Sequence, residues 1–501
     1  MQVNQKIQAL LDRYRQIALL SQVDAVLGWD LNVNLPPKAS QSRADQSALI
    51  TKLIAQDWQE SNLIKLIQDA AQDQSKLSLE EKAIVRNLSH SAHYYQSIPQ
   101  EVIVEFSETT SKAFMAWQEA KTKDDFSLFQ PHLARVVKLN QIIADHLGYK
   151  DNPYDALLDL YEPNLTAATC QSLFDELKTV LVPLLQKIQA SSKYTTDLDF
   201  VGHGHHYSQD DQRQISLFVL RRMGYDLDAG RMDISSHPFT QTLAQDDVRI
   251  TNRYNQTDFR ESLMVAMHEG GHALYEQGIE PDYNLTPLDG GVSLGIHESQ
   301  SRFWENQIGR SRQFIETLTP VLHAFYPESL VKIGSESLYR AFNQVKPSLI
   351  RTESDEVTYN LHILLRFEIE NDLINDRLKV SDLPQVWNQK MQQYFGLTPL
   401  DNRKGVLQDV HWSYGNFGYF PTYTLGNLYA AQFTATLKKE LDLELLLQQG
   451  NLGSILSWLR ENIHQYGSLY WPSELIQKVT LQPLSAKYFT NYITAKYSDL
   501  Y

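Results

Sequence analysis

A chain of 501 residues with 42% hydrophobic and 21% charged side chains has the make-up of a folded protein with a large core, which excludes disordered, collagen-like and disulfide-scaffold classes. A formal net charge of −15 argues against nucleic acid or an anionic membrane as partner. The single Cys170 has no internal disulfide partner, which fits a reducing compartment, and it reads as a small buried hydrophobe.

The first stretch, MQVNQKIQALLDRYRQIALLSQ, has charged and amide residues interrupting every apolar run, so a signal peptide's apolar segment is missing. No later run is long enough to span a bilayer, and a cytoplasmic protein is expected. Apolar residues then recur at helical spacing in LIKLIQDAAQ, LFDELKTVLVPLLQKI, TYNLHILLRFEIENDLI and LGNLYAAQFTATLKKELDLELLL. Prolines and asparagines punctuate these runs, without a low-complexity linker or internal repeat. The expectation is a mainly α protein built as one continuous unit over 1–501, with two lobes around a cleft. His203, His205 and His206 lie among Gly, Ser and Asp with no rigid spacing or adjacent base, and read as a surface loop.

One segment breaks the helical pattern. In DVRIT, Asp247, Arg249 and Thr251 alternate with Val248 and Ile250, the period of a strand with one polar face, preceded by the turn-like SSHPF. The edge of that strand is expected to be open to pairing with a peptide main chain.

The segment VAMHEGGHALYEQG follows. On a helix His268 and His272 lie one turn apart on one face, where two imidazole nitrogens can converge on a metal ion. Glu269 stands beside them, placed to hydrogen-bond a water rather than to ligate, as in the HExxH pattern. Gly270 and Gly271 each weaken a helix interior by about 1 kcal/mol relative to alanine, so close approach of a second backbone or of substrate is expected at that face. Leu263, Met267 and Leu274 form the opposite, buried stripe, and Gly278 is placed to cap the end. A catalytic zinc site needs a third protein ligand, frequently a carboxylate. Glu298, in HESQ at the start of another apolar-periodic stretch, is the candidate, with Glu305 its rival two turns on. Imidazole and carboxylate donors suit one divalent ion, zinc first, with cobalt or manganese as alternatives.

Five segments in order, GRMDISSHPFTQTLAQDDVRITNRY, HEGGH, HESQ, IRTESDE and GVLQDVHWSYGNFGYFPTYTLGN, resemble the thermostable metallocarboxypeptidases of the carboxypeptidase Taq family. GWDLNVNLPPKASQSRADQ near the N-terminus extends the resemblance over nearly the whole chain, and Ser354 departs from the family's alanine in I-R-x-x-A-D. The resemblance implies a large two-lobed helical metallopeptidase with a deep active-site groove, a small β-sheet near the metal and an N-terminal helical part, about 1–100, covering the groove. It implies His268, His272 and Glu298 as metal ligands and Glu269 as general base and acid. It further implies that the motifs holding Asp247, Arg249, Thr251, Arg351 and Asp355 close one end of the groove. Arginine suits a free C-terminal carboxylate because its fork binds both oxygens. Thr352 and Asp355 are expected to form a capping box beside Arg351. Gln408, in the same matched segment as His411, is expected among the substrate-binding residues, and His237 is a weaker candidate for the substrate pocket. An oxyanion donor is expected from His411 with a tyrosine of GNFGYFPTY, and analogy with related helical metallopeptidases favours Tyr419 over Tyr423. The implied activity is release of C-terminal residues from peptides with broad specificity, by a homodimer. An oligopeptidase cutting internal bonds, or a non-catalytic peptide-binding protein, are the alternatives.

Overall fold

The computed structural model describes residues 3–72, 74–195 and 204–501. The helical periodicity is realised over most of them, and none of the described helices is long and apolar enough to cross a membrane. The chain folds as two compact units, each drawn from three stretches: 1–96, 198–342 and 433–483 in unit 1, and 97–197, 343–432 and 484–501 in unit 2.

In unit 1, helix α1 (Gln5–Val33) starts where the Asn4 side chain accepts from the amides of Lys6 and Ile7, and α2 (Ser40–Trp58) packs along it. Leu10, Ile17, Trp58, Leu63, Ile84 and Leu88 fill a core that also takes in Tyr283 and Leu288. A three-stranded sheet comprises β1 (Met232–Ile234), β2 (Thr240–Ala244) and β3 (Asp247–Asn252), in the order β1-β3-β2. The strand expected at DVRIT is therefore β3, but its edges are not open. It pairs in parallel with β1 (Met232 opposite Ile250) and antiparallel with β2 (Thr240 opposite Ile250). β1 is only three residues long, and β2, TQTLA, buries a single side chain, Leu243, without apolar–polar alternation, so neither shows a period-2 pattern in sequence.

Helix α4 (Phe259–Glu276) packs on β2 and β3, and it also contacts α3 (Gln209–Met223) and α5 (Leu294–Arg302). The Asp258 carboxylate caps α4 by accepting from Arg260 N, and Ser293 Oγ caps α5 by accepting from Ile296 N. Leu263, Met267 and Leu274 are buried as expected. Gly278, however, is not a left-handed cap: α4 ends at Glu276 with Gln277 as its C-cap, and a Cβ at Gly278 would stand 2.7 Å from His464 Cβ. The missing side chain admits His464.

In unit 2, α6 (Tyr359–Ile374) is buried nearly all round, with the Phe126–Leu147 and Ala167–Gln189 helices against it and Cys170 in the core. His362, Arg366 and Glu370, four residues apart, form a polar stripe inside this apolar surround. The capping box is not formed. Arg351 to Glu353 make one tight turn whose N-cap is Ile350, and Asp355 instead accepts from the amides of Lys346, Val357 and Thr358 and from the Thr358 hydroxyl. Asp355 thus forms a local Asx-type turn with the Val357 and Thr358 amides, two and three residues ahead, in place of the box.

Candidate functional site

The site in unit 1 is built where α4 crosses α5. A Cβ on Gly271 would lie 2.5 Å from the Gln300 carbonyl oxygen and 2.7 Å from Ser301 Cα. The expected second backbone is thus that of α5, the helix carrying Glu298. Gly270 faces the other way, where a Cβ would meet Leu220 Cδ2 at 2.6 Å and Met223 Cε at 3.2 Å on α3. One glycine lets the ligand-bearing helices approach, and its neighbour lets α4 pack on α3.

That close crossing brings Glu298 Oε2 to 3.4 Å from His272 Nε2 and 3.7 Å from His268 Nε2. Among the described residues, His268, His272 and Glu298 are the His, Cys, Asp or Glu group whose ligand atoms converge, all within 4.8 Å of one another. Metal–ligand bonds of about 2.0–2.2 Å put tetrahedral donors roughly 3.3–3.6 Å apart, so the set fits a single divalent cation. The donors are also prepared electronically. Burial alone would raise the Glu298 carboxyl, but Arg302, then His268 and His272, outweigh it and hold it well below the usual carboxylate range. Burial lowers His272 to about 4, so its imidazole is neutral with a lone pair to offer.

Other groups fix these three. Arg302 Nε donates to Glu298 Oε1 at 2.7 Å, leaving Oε2 on the side of the histidines, while Arg302 Nη1 donates to Glu305 at 3.1 Å. Glu305 accepts from His268 Nδ1 at 2.9 Å, which directs that ring's Nε2 lone pair toward Glu298. The rival ligand of the sequence reading thus stands behind a histidine, on a stretch of wider π-type turns, Phe303–Gly309, that continues α5. His272 Nδ1 lies 2.6 Å from His297 Nδ1. Glu269 is buried beside the group, and Thr240 Oγ1 on β2 donates to its Oε2 at 2.7 Å. Burial raises the Glu269 carboxyl, with His268 and Thr240 only partly opposing, which moves it toward the range where a carboxylate exchanges protons readily.

The remaining unit 1 candidates lie along the sheet. Arg249 forms a two-pronged ion pair with Asp247, at 2.7 and 2.6 Å, and its guanidinium lies 5.6 Å from the Trp29 ring of α1. Trp29 also packs on Phe239. Thr251 is fully buried: its hydroxyl accepts from Ser235 Oγ and Phe239 N, tying down the loop that presents the exposed His237. His205 is half-buried and His206 exposed, while His203 lies outside the described residues.

Unit 2 gathers the other candidates around a buried ion network. Arg351 Nε donates to Asp409 Oδ1 at 3.0 Å, and Arg366 Nε to Asp409 Oδ2 at 2.8 Å. Burial would raise Asp409, but Arg366 and Arg351 outweigh it and keep it ionised. Gln408 Oε1 accepts from Arg351 N and Arg366 Nη2, so its amide braces the arginines. The Arg351 guanidinium lies 4.9 Å from the Tyr423 ring, and His411 Nε2 is 3.3 Å from the Tyr423 hydroxyl. The Tyr419 ring packs on His411 at 5.4 Å. Burial, then Arg351, lowers His411 to about 3, so it is neutral. Asp409, Arg366, His297 and Thr240 had no signal in spacing, because each acts through a contact that only the fold creates, whereas Arg302 stands at ion-pair spacing from Glu298 and Glu305 along one helical stretch, a signal that was there to be read.

Comparison with known proteins agrees with this geometry. Residues 9–497 match the family model described as carboxypeptidase Taq (M32) metallopeptidase. The chain is 41% identical to thermostable carboxypeptidase 1 of Pyrococcus furiosus, over 99% of both chains, and 38% identical to carboxypeptidase 1 of Bacillus subtilis over the full length of both. Among solved structures it is similar to the Pyrococcus furiosus carboxypeptidase (TM-score 0.96, 41% identity, 99% of each chain). It is similar also to the M32 carboxypeptidase of Deinococcus radiodurans (TM-score 0.95, 36% identity, 99% of each chain).

Proposed function

The chain belongs to the carboxypeptidase Taq (M32) family of metallopeptidases and is a metallocarboxypeptidase, and from that premise we propose how its residues divide the work. The observation that carries the proposal is the convergence of His268, His272 and Glu298 with Glu269 beside them. Those three hold one divalent ion, with zinc the proposed metal and cobalt or manganese its substitutes. When bound, the ion supplies Lewis acidity, making water acidic enough to ionise near neutral pH and polarising the scissile carbonyl.

Glu269 moves the proton. Thr240 engages Oε2, which leaves Oε1 to take a proton from the attacking water and deliver it to the leaving amine. No covalent acyl-enzyme is needed. Arg249 and Arg351 are proposed to recognise the substrate's terminal carboxylate, with Asp247 and Asp409 holding their forks in shape and Thr251, Gln408 and Asp355 bracing the segments around them. His237 is proposed to line the substrate pocket. His411 and Tyr419, with Tyr423 as the alternative phenol, are proposed as oxyanion donors, a role that suits an imidazole kept neutral. The N-terminal helices are proposed to cover the Arg249 face, where Trp29 already stands. We further propose that the chain works as one catalytic domain, as a cytoplasmic homodimer of broad specificity.

The direct test is Glu269→Gln. It should keep zinc affinity within a few-fold and lower kcat by roughly 10²–10⁴; a variant that retains full turnover would remove Glu269 from the mechanism.

A further inference from the structure

We propose that Glu276 and His297 are positioning residues that set the tautomer of His272, and so decide that its Nε2 is the nitrogen offered to the metal. The inference rests on His272 being a ligand and adds what makes it one. Both residues belong to unit 1: Glu276 is the last residue of α4, and His297 precedes the ligand Glu298 on α5.

Hydrogen-bond direction carries the argument. Glu276 is buried, and its Oε1 accepts from Gly291 N at 3.0 Å and lies 2.8 Å from His297 Nε2. An ionised carboxylate has no proton to give, so His297 Nε2 must carry one. His297 Nδ1 faces His272 Nδ1 at 2.6 Å, a separation that places one shared proton between the two nitrogens. The ligand geometry assigns that proton to His272 Nδ1, because His272 Nε2 faces Glu298 Oε2 and must be bare to reach the metal. With Nδ1–H used in this way, His272 Nε2 keeps its lone pair on the side of Glu298 Oε2, 3.4 Å away.

The local sequence makes room for this chain. A Cβ on Gly291 would stand 2.8 Å from His297 Cδ2 and 2.8 Å from Tyr275 Cε1, so glycine both donates to Glu276 and leaves space for the imidazole between Tyr275 and His272. The strand takes part at the neighbouring carboxylate, where Thr240 on β2 donates to Glu269 Oε2. His268 reaches the same end by a shorter route, donating directly to Glu305.

The test compares zinc dissociation constants, by chelator competition, of His297→Leu, Glu276→Leu, Glu276→Gln and His272→Ala, with metal-free melting to confirm folding. The leucine variants should bind zinc about 10–100-fold more weakly. Glu276→Gln should recover most of the loss, because its amide oxygen still accepts from Gly291 and His297, a rescue that a space-filling role would not show. Leucine variants that bind zinc like the parent, while His272→Ala does not, would overturn this inference alone. Unchanged binding by His272→Ala would overturn the ligand assignment beneath it. A further measurement needs no variant: long-range 1H–15N correlation on the zinc-loaded, histidine-labelled enzyme should show His297 protonated at Nε2 and bare at Nδ1, and a proton on Nδ1 would refute the proposal.

Discussion

Replacing Gly271 with alanine isolates the helix crossing on which the metal site depends. Alanine gains about 1 kcal/mol of helix propensity over glycine, so on local grounds the variant should be more stable. The structure reverses that sign. The added Cβ meets backbone, 2.5 Å from the Gln300 oxygen and 2.7 Å from Ser301 Cα, and neither atom can rotate away. Relieving the clash takes roughly half an ångström or more of separation between α4 and α5, an overpacking cost of about 1–3 kcal/mol. Glu298 lies two residues before Gln300 and moves with it, while metal–ligand distances tolerate only about 0.2 Å. Gly270→Ala is the matched control, since the atoms in its way are the methyl ends of Leu220 and Met223. Metal-free melting and zinc competition on both variants give the comparison. Gly271→Ala should melt below both parent and Gly270→Ala and bind zinc at least about 10-fold more weakly. If it melts as high as Gly270→Ala and binds zinc equally well, the crossing is not the reason for the glycine pair.

Glu370 carries a pH-dependent stability term: it accepts from Tyr154, Trp412 and Gly418, yet burial raises its carboxyl from 4.5 to about 7. A carboxyl raised on folding destabilises the protein as pH climbs from its unfolded to its folded pKa, at about 1.4 kcal/mol per unit. The stability difference between Glu370→Gln and parent should therefore shift in favour of the glutamine between pH 4.5 and 7, and denaturation midpoints whose difference stays constant over that window would contradict it. Arg351→Lys keeps the charge facing Asp409 but loses the fork, so KM for a free-acid peptide should rise about 10–100-fold with kcat changing less; an unaltered KM would remove Arg351 from substrate recognition. Tyr419→Phe should lower kcat by about 10²–10³ with little change in KM, and the same loss in Tyr423→Phe alone would transfer the oxyanion role to that residue.

The parts of the site legible in sequence were those fixed by short-range geometry. The four-residue spacing of His268 and His272 defines one helix face whatever the fold, and two glycines in a helix interior demand a close neighbour without naming it. The β3 strand showed its period over five residues. What stayed hidden depends on contacts between distant segments. Glu305 read as a rival ligand because two turns of helix bring it near Glu298, and only the crossing with α4 places it behind His268. Of the flanks of β3, β1 was too short and β2 lacked alternation, so the edge of β3 looked open. The Thr352–Asp355 pattern matched a capping box, but Asp355 found nearer amides. Arg351 and Arg249 each read equally well as ion-pair or substrate residues, and both are held by an acid whose partner set the sequence does not order.

Product analysis by mass spectrometry on one medium-length peptide, offered as free acid and as C-terminal amide to chelator-treated and zinc-restored enzyme, tests the account most directly. Stepwise loss of C-terminal residues from the free acid, only after zinc is restored, is the predicted result. Internal cuts in both peptides, or cleavage that persists without metal, would contradict it.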